Sequence, residues 1–214
     1  TSGQLGINDA VSRSSPTQVG TSSWTSVSAG VDTSAAIRQD GALFMWGGNA
    51  GGQLGNTLDV LSRSSPVQVA TGTSWSLVSV GSSFTVAKKS DNTLWTWGLN
   101  TAGQMGDGTL ISKSSPVQVN GKLAAGTTVT SWNQISAGFD HSVATDALTG
   151  QLYVWGNATA VVAQPSIFSW TKISSGSNFT MAIRNDGLLF TWGVNAVGQL
   201  GDNTSITKSS PVQI

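Results

Sequence analysis

The sequence predicts an all-β fold, a β-propeller of four-stranded antiparallel blades with about four blades in its 214 residues. Three observations carry this expectation. A unit of about 50 residues recurs along nearly the whole chain, and a period of that size marks a propeller, solenoid or array. The composition is poor in helix formers and rich in turn formers: all ten acidic residues are Asp, and Gly fills 26 positions. No stretch of 10–15 residues shows helical amphipathic spacing, so a helical solenoid is excluded.

The repeat is marked by three short motifs. Ser-Ser-Pro-x-Gln-Val/Ile recurs at Pro16, Pro66, Pro116 and Pro211, with a degenerate copy at Pro165. Trp-Gly recurs at Trp46, Trp97, Trp155 and Trp192, and Gly-Gln-Leu/Met-Gly at residues 3–6, 52–55, 103–106 and 198–201. The approximate repeats are 16–65, 66–115, 116–164 and 165–210, within a single unit spanning 1–214 and with partial blade elements at both ends.

Each unit spells out four strands. A first strand opens on Trp24, Trp75, Trp132 or Trp170, always six residues before a marker glycine (Gly30, Gly81, Gly138, Gly176). A hairpin follows; in the first copy it runs over residues 33–38 and 42–46 around Asp40-Gly41. Asp-Gly between two such runs predicts a type I′ turn, which needs φ > 0 at both central residues. Asp91-Asn92 and Asp186-Gly187 repeat the signal, and Thr149-Gly150 is one residue longer. The fourth strand is the Pro-Val-Gln-Val segment, whose proline suits a first position or a sheet edge.

Where the spacing varies, loops are expected. The third unit carries an insertion around 120–130, and the Gly-Gln-Leu-Gly loop is missing after Trp155. A formal net charge of zero gives no global field toward nucleic acid or anionic membrane, and no apolar run approaches the roughly 18 residues of a membrane span. With no Cys, disulfides, Cys-ligated zinc and thiol catalysis are excluded. The opening Thr1-Ser2-Gly3, without Met or a signal peptide, leads us to expect a processed or excised piece.

The best copy of the unit, residues 176–204, ends Trp192-Gly193-Val194-Asn195-Ala196-Val197-Gly198-Gln199-Leu200-Gly201-Asp202. This pattern resembles the regulator of chromosome condensation repeat, and the resemblance covers essentially the entire chain. The family's preferred His after the marker glycine is matched by His141 alone; Thr33, Phe84 and Phe179 stand there in the other copies. The resemblance implies a propeller that usually closes with seven blades, so the four units here are expected to be part of a longer ring; a closed four-blade ring is the alternative. It implies no single function, since the family includes a guanine-nucleotide exchange factor, an ultraviolet photoreceptor and an inhibitory secreted protein.

Candidate sites follow from this frame. Eight of the nine Trp occupy the two repeat positions, and the ninth, Trp95, stands where Phe44, Tyr153 and Phe190 stand. Residues i and i+2 share a strand face, so these rings are expected to form ladders between blades, in preference to a sugar-binding or light-sensing role. No Arg adjoins a Trp in sequence. His141 is expected to be a hydrogen-bonded structural residue, since it has no catalytic or metal-binding partner set in sequence. Gly103-Gln104-Met105-Gly106-Asp107-Gly108 lacks the Lys-Ser/Thr of a phosphate loop, and one Asp per loop falls short of a Ca²⁺ site. Asn-x-Ser/Thr triplets at Asn157, Asn178 and Asn203 are what chance gives in so Ser/Thr-rich a chain.

Two cation series recur. Arg38, Lys89 and Arg184 precede the hairpin-tip Asp40, Asp91 and Asp186 by two residues and are expected to be self-neutralised. Arg13, Arg63, Lys113 and Lys208 each stand three residues before the repeated Pro, with no fixed acidic partner in sequence. They are the candidate partner-facing rim. The expected function is a non-enzymatic protein-binding or structural module, without cofactor or metal. Its setting would be secreted, surface or virion rather than nuclear, with a protein or other subunits of an assembly as partner and no nucleic acid. The alternatives are an exchange factor for a small GTPase, by the resemblance, and a carbohydrate-binding propeller using a free aromatic such as Phe168.

Overall fold

The computed structural model describes residues 2–56, 60–70, 72–119, 129–156 and 168–214. The first blade is β1 (Trp24–Ala29), β2 (Thr33–Arg38), β3 (Leu43–Gly47) and β4 (Arg63–Gln68), hydrogen-bonded in that order. The second is β5 (Trp75–Val80), β6 (Phe84–Lys89), β7 (Leu94–Gly98) and β8 (Lys113–Gln118). The third shows β9 (Trp132–Ala137), β10 (His141–Asp146) and β11 (Leu152–Gly156), and the fourth is β12 (Trp170–Ser175), β13 (Phe179–Arg184), β14 (Leu189–Gly193) and β15 (Lys208–Gln213). Every pairing is antiparallel, and the described residues contain no helix. The expected all-β blades are present. Pro165, Asn157 and most of the insertion at 120–130 lie outside the described residues.

Pro66, Pro116 and Pro211 sit within the outermost strand of their sheets, where a missing N–H costs no ladder bond. Residues 14–19 carry the same Ser-Ser-Pro-x-Gln-Val pattern yet form no strand.

The hairpin turns differ from the type I′ expectation. Only Gly41 has positive φ (82°); Gly41 N–H donates to Arg38 O (2.8 Å) and Arg38 N–H to Ala42 O (2.8 Å). This is a three-residue loop, a type I turn closed by one left-handed residue. Asn92 (φ 66°) and Gly187 (φ 88°) take the same place, and the third copy is one residue longer, closing Asp146 N–H onto Gln151 O.

Successive blades are joined by contacts that recur once per repeat. The backbone N–H of the first-strand Trp donates to the turn of the preceding blade: Trp75 to Gly41 O, Trp132 to Asn92 O and Trp170 to Gly150 O, each 3.0 Å. Nearer the axis, Val80, Ala137 and Ser175 N–H donate to Ser28, Ser79 and Ser136 Oγ at 3.0, 2.9 and 2.8 Å.

The aromatic side chains are arranged differently from the expected ladders. Their ring contacts lie within each blade: Trp24 meets Phe44 and Trp46, Trp75 meets Trp95 and Trp97, Trp132 meets Tyr153 and Trp155, and Trp170 meets Phe190 and Trp192. The three-ring sets of the second, third and fourth blades then pack on the aliphatic face of the blade before them. Trp75 and Trp97 cover Ile37, Leu43 and Met45; Trp132 and Trp155 cover Val86 and Leu94; Trp170 and Trp192 cover Val143 and Leu152. Side chains alternate along a strand, so one face of each sheet carries the rings and the other the aliphatics.

Candidate functional site

With both faces of the inner sheets used in packing, recognition falls to the blade edges. The two rims differ in construction. One carries the hairpin tips, the other the Gly-Gln-Leu-Gly loops and the starts of β4, β8 and β15.

The loop rim is held by buried amides that sequence reasoning passed over. Asn49, Asn100 and Asn195 follow the Trp-Gly motif and are fully buried. Their Oδ1 atoms accept from Leu54, Met105 and Leu200 N–H at 3.0, 2.9 and 2.9 Å. Asn100 Nδ2 donates to Asp107 Oδ1 (3.1 Å), Thr109 O (2.9 Å) and Ile111 O (3.3 Å), and Asn195 repeats this with Asp202, Thr204 and Ile206. The repeated Asn in Trp-Gly-x-Asn was the available signal.

The loop glutamines link neighbouring blades. Gln4, Gln53 and Gln104 backbone carbonyls accept the indole N–H of Trp46, Trp97 and Trp155 at 2.9, 2.8 and 2.9 Å, together with the hydroxyls of Ser34, Thr85 and Ser142. The phosphate-loop resemblance has no chemistry behind it, because the turn amides are already engaged: Gly106 N–H reaches Gly103 O, and Ala102 N–H reaches Gln104 Oε1. Asp107 and Asp202 of these loops likewise receive Asn and Thr donors. Among the described residues no group of three or more His, Cys, Asp or Glu side chains could hold a metal ion.

Arg63, Lys113 and Lys208 begin the outer strands at one register position, opposite Gly47, Gly98 and Gly193. Arg13 stands in the irregular N-terminal segment. An acidic partner was not expected for this series, but the structure supplies one twice. Arg13 pairs with Asp9 (2.5 Å) and Lys208 with Asp202 (3.3 Å), because the loop folds its Asp back toward the strand start. The Thr204 hydroxyl, with the Thr204 amide and Lys208 adding to it, pulls Asp202 down to about 2. Val11 N–H and Arg13 likewise hold Asp9 below the usual carboxylate range.

On the opposite rim Arg38 pairs with Asp40 (2.7 Å) and Arg184 with Asp186 (2.5 Å), and both carboxylates are lowered first by their arginine. Asp91 is lowered first by the Thr93 hydroxyl. The same cations close over aromatic rings, which the absence of Arg beside Trp in sequence did not suggest. Lys89 lies over Trp95 (4.1 Å) and Trp75 (5.1 Å), Arg38 over Phe44, and Arg184 over Phe168 and Phe190. Phe168 is therefore packed against the Trp170 cluster and capped by Arg184, a poor platform for a sugar.

His141 is buried at the start of β10, with Nε2 3.4 Å from Thr180 Oγ1 of the next blade, and burial pushes its pKa down. Asn178 and Asn203 are exposed, but Thr180 of the first triplet is buried within β13. The four marker glycines meet around a cavity of about 230 Å³ at the inner mouth of the blades.

Comparisons with known proteins agree with this architecture. The family described as "Regulator of chromosome condensation (RCC1) repeat" matches residues 40–87, 91–145 and 186–214, more than half of the chain. A second profile with the same description matches 24–53, 75–104 and 170–199. The Ultraviolet-B receptor UVR8 of Arabidopsis thaliana is 28% identical over 197 residues, covering 84% of this chain and 43% of the receptor. The human probable E3 ubiquitin-protein ligase HERC6 is 28% identical over 205 residues, covering 86% of this chain but only 20% of the ligase. The chain thus spans less than half the length of these relatives. Among solved structures, human WBSCR16 matches with a TM-score of 0.82 at 20% identity, covering 99% of this chain and 59% of that one. Yeast RCC1 (Prp20) bound to Kap60 matches with a TM-score of 0.73 at 20% identity, covering 92% and 50%. Motif, blade order and family match converge: this chain belongs to the regulator of chromosome condensation (RCC1) repeat family.

Proposed function

We propose that this chain is a non-enzymatic protein-binding module that meets its partner through the loop-bearing rim. The observation that carries this reading is the division of labour within each blade. Both faces of the inner sheets are consumed in packing, while buried Asn and Gln residues hold the loops of one rim in fixed geometry with Arg13, Arg63, Lys113 and Lys208 along it. Rigidly presented loops on a packed scaffold suit recognition, since little ordering remains to be done on binding. Solved relatives of the fold support a protein partner: one is yeast RCC1 bound to Kap60, and another is described with its binding properties to Gsp1p and histones. The secreted, surface or virion setting expected from composition has no support in the family or the fold and forms no part of the proposal; nor does the glycan alternative.

Site-specific photo-crosslinking tests it. A benzoylphenylalanine at Lys113, on the loop rim, is expected to give discrete protein adducts in an extract of the native host, competed by unlabelled chain. The same probe at Leu148, exposed beside the opposite rim, is expected to give none. Equal labelling from both positions, or from neither, overturns the reading. Accelerated release of labelled nucleotide from a small GTPase mixed with the chain would replace it with the exchange-factor alternative.

A further inference from the structure

We infer that the loop rim takes a partner segment that is both apolar and acidic, seated on a row of aliphatic side chains that precede the rim cations; this rests on the protein-binding reading above. Two residues before Arg13, Arg63, Lys113 and Lys208 stand Val11, Leu61, Ile111 and Ile206. Their exposures are 59%, 62%, 63% and 65%, and the neighbouring Val60 and Leu110 are exposed as well. Scattered apolar residues on a surface are ordinary. This set recurs at one position of the repeat and on one rim, and at Ile111 and Ile206 it stands on a backbone held by a buried asparagine.

The bracing is the informative part. Ile111 N–H donates to Thr109 Oγ1 (3.3 Å), and its carbonyl accepts from the buried Asn100 amide (3.3 Å). Ile206 is held identically by Thr204 Oγ1 and Asn195, both at 3.3 Å. Val11 N–H donates to Asp9 Oδ1 (3.0 Å), and its carbonyl accepts from Arg13 Nη1 (3.2 Å). Leu61 O accepts from Arg63 Nη1 (3.4 Å). Folding gains little from a side chain that remains in water, yet its backbone is fixed, which is the arrangement that lowers the entropic cost of burying it against a partner.

The electrostatics select the partner's chemistry. In the Lys208–Asp202 pair the carboxylate is tucked into the turn, 6% exposed, while the lysine side chain keeps 26%, so the pair presents its ammonium outward. Lys113 makes no ion pair among the described residues. Ile111 and Ile206 thus have an outward ammonium beside them, whereas the Arg13–Asp9 pair near Val11 leaves both partners about equally exposed (35% and 37%); the complement of the lysine-flanked positions is a chain with Leu, Ile or Val near Asp or Glu. An anionic bilayer is the poorer match, since such surfaces are read by clusters of roughly four to eight basic residues, and this chain has zero net charge with about one rim cation per repeat.

Fluorescence anisotropy with three labelled peptides tests the inference: Asp-Leu-Ser repeats, Lys-Leu-Ser repeats and Asp-Ser repeats. The intact chain is expected to bind the first alone and to leave phosphatidylserine vesicles unbound. Combining Leu61→Ser, Ile111→Ser and Ile206→Ser is expected to weaken binding at least tenfold, and Lys113→Glu at least threefold. Leu148→Ser, on the opposite side, should leave it unchanged. Circular dichroism and thermal melting establish that the variants fold; Ile111→Ser alone, expected to weaken binding by about threefold, serves if the triple variant does not. The inference is overturned if the Asp-Leu-Ser peptide fails to bind, if the basic peptide binds equally, if the serine variants bind like the parent, or if the chain partitions onto vesicles. Crosslinks at Lys113 without Asp-Leu-Ser binding would remove this inference and leave the protein-binding reading standing.

Discussion

Replacing Asn100 by Ala is the sharpest probe of how the loop rim is built. Asn100 has no solvent exposure, and its Oδ1 is the acceptor for the N–H of Met105, itself fully buried. Truncation leaves that N–H without a partner, at a cost of about 1–3 kcal/mol. The Nδ2 atom has two hydrogens to share among Asp107, Thr109 and Ile111; those acceptors lie at the rim and can turn to water, so their loss adds only about 1 kcal/mol. The expected total is therefore about 2–4 kcal/mol, or roughly 30- to 1000-fold in the opening equilibrium. Native-state hydrogen exchange at the Met105 amide reads it directly, with urea unfolding followed by Trp fluorescence as the global check. Asn100→Asp separates the two halves of the role. It keeps the acceptor for Met105 but sets a buried carboxylate against Asp107, so it should be at least as damaging at pH 7 and recover as the pH is lowered and the introduced carboxyl takes up a proton. A loss under about 0.5 kcal/mol for Asn100→Ala, or a neutral Asn100→Asp at pH 7, would refute the reasoning.

Three further outcomes are expected. Burial, opposed in part by Asp140, depresses the pKa of His141, so its contribution to stability is intact above the unfolded value of about 6.5 and declines as pH falls through the folded value; His141→Phe, the residue found at Phe84 and Phe179, should flatten the urea midpoint between pH 7.5 and about 5.5, and an unchanged slope would exclude the assignment. Asp202, held at about 2, favours the folded state above the unfolded carboxylate value and loses that effect as pH falls toward 2; Thr204→Val should raise its pKa toward 3.8 in a carbon-detected NMR titration, and no movement would show that the hydroxyl is not the main cause. Gly106 (φ 68°) would place a Cβ 2.5 Å from Trp155 Nε1, whereas Gly20 (φ 59°) has nothing within 4 Å. Gly106→Ala should cost roughly 2–4 kcal/mol in chemical unfolding and Gly20→Ala only about 1; equal costs would mean the indole contact is slack.

Much of the fold was legible because a strand is a local pattern. The six-residue interval from Trp24, Trp75, Trp132 and Trp170 to the marker glycines is constant, and the turn residues Gly41, Asn92, Gly150 and Gly187 recur with only the third copy one residue longer, so each signal fits within a short window of sequence. The turn type was less legible. Asp-Gly is compatible with two hairpin geometries, and the carbonyl that must accept Trp75 N–H belongs to the next blade's packing, which no local window contains. The rim was half legible. Its cations were visible by position, but Asp9 and Asp202 reach Arg13 and Lys208 only once the loop has folded back.

The sequence by itself determined the repeat, the four-strand unit, the outer-edge proline and the two rings that share each strand face. Only the tertiary structure decided what those elements do for one another. Val78 of β5 is 7% exposed because the first blade packs against it. The Ser28, Ser79 and Ser136 hydroxyls find their donors 52, 58 and 39 residues away. The physical reason is common to both. A backbone hydrogen bond or a buried ring needs a partner brought by another blade, and that partner is set by how the sheets stack rather than by the residues on either side.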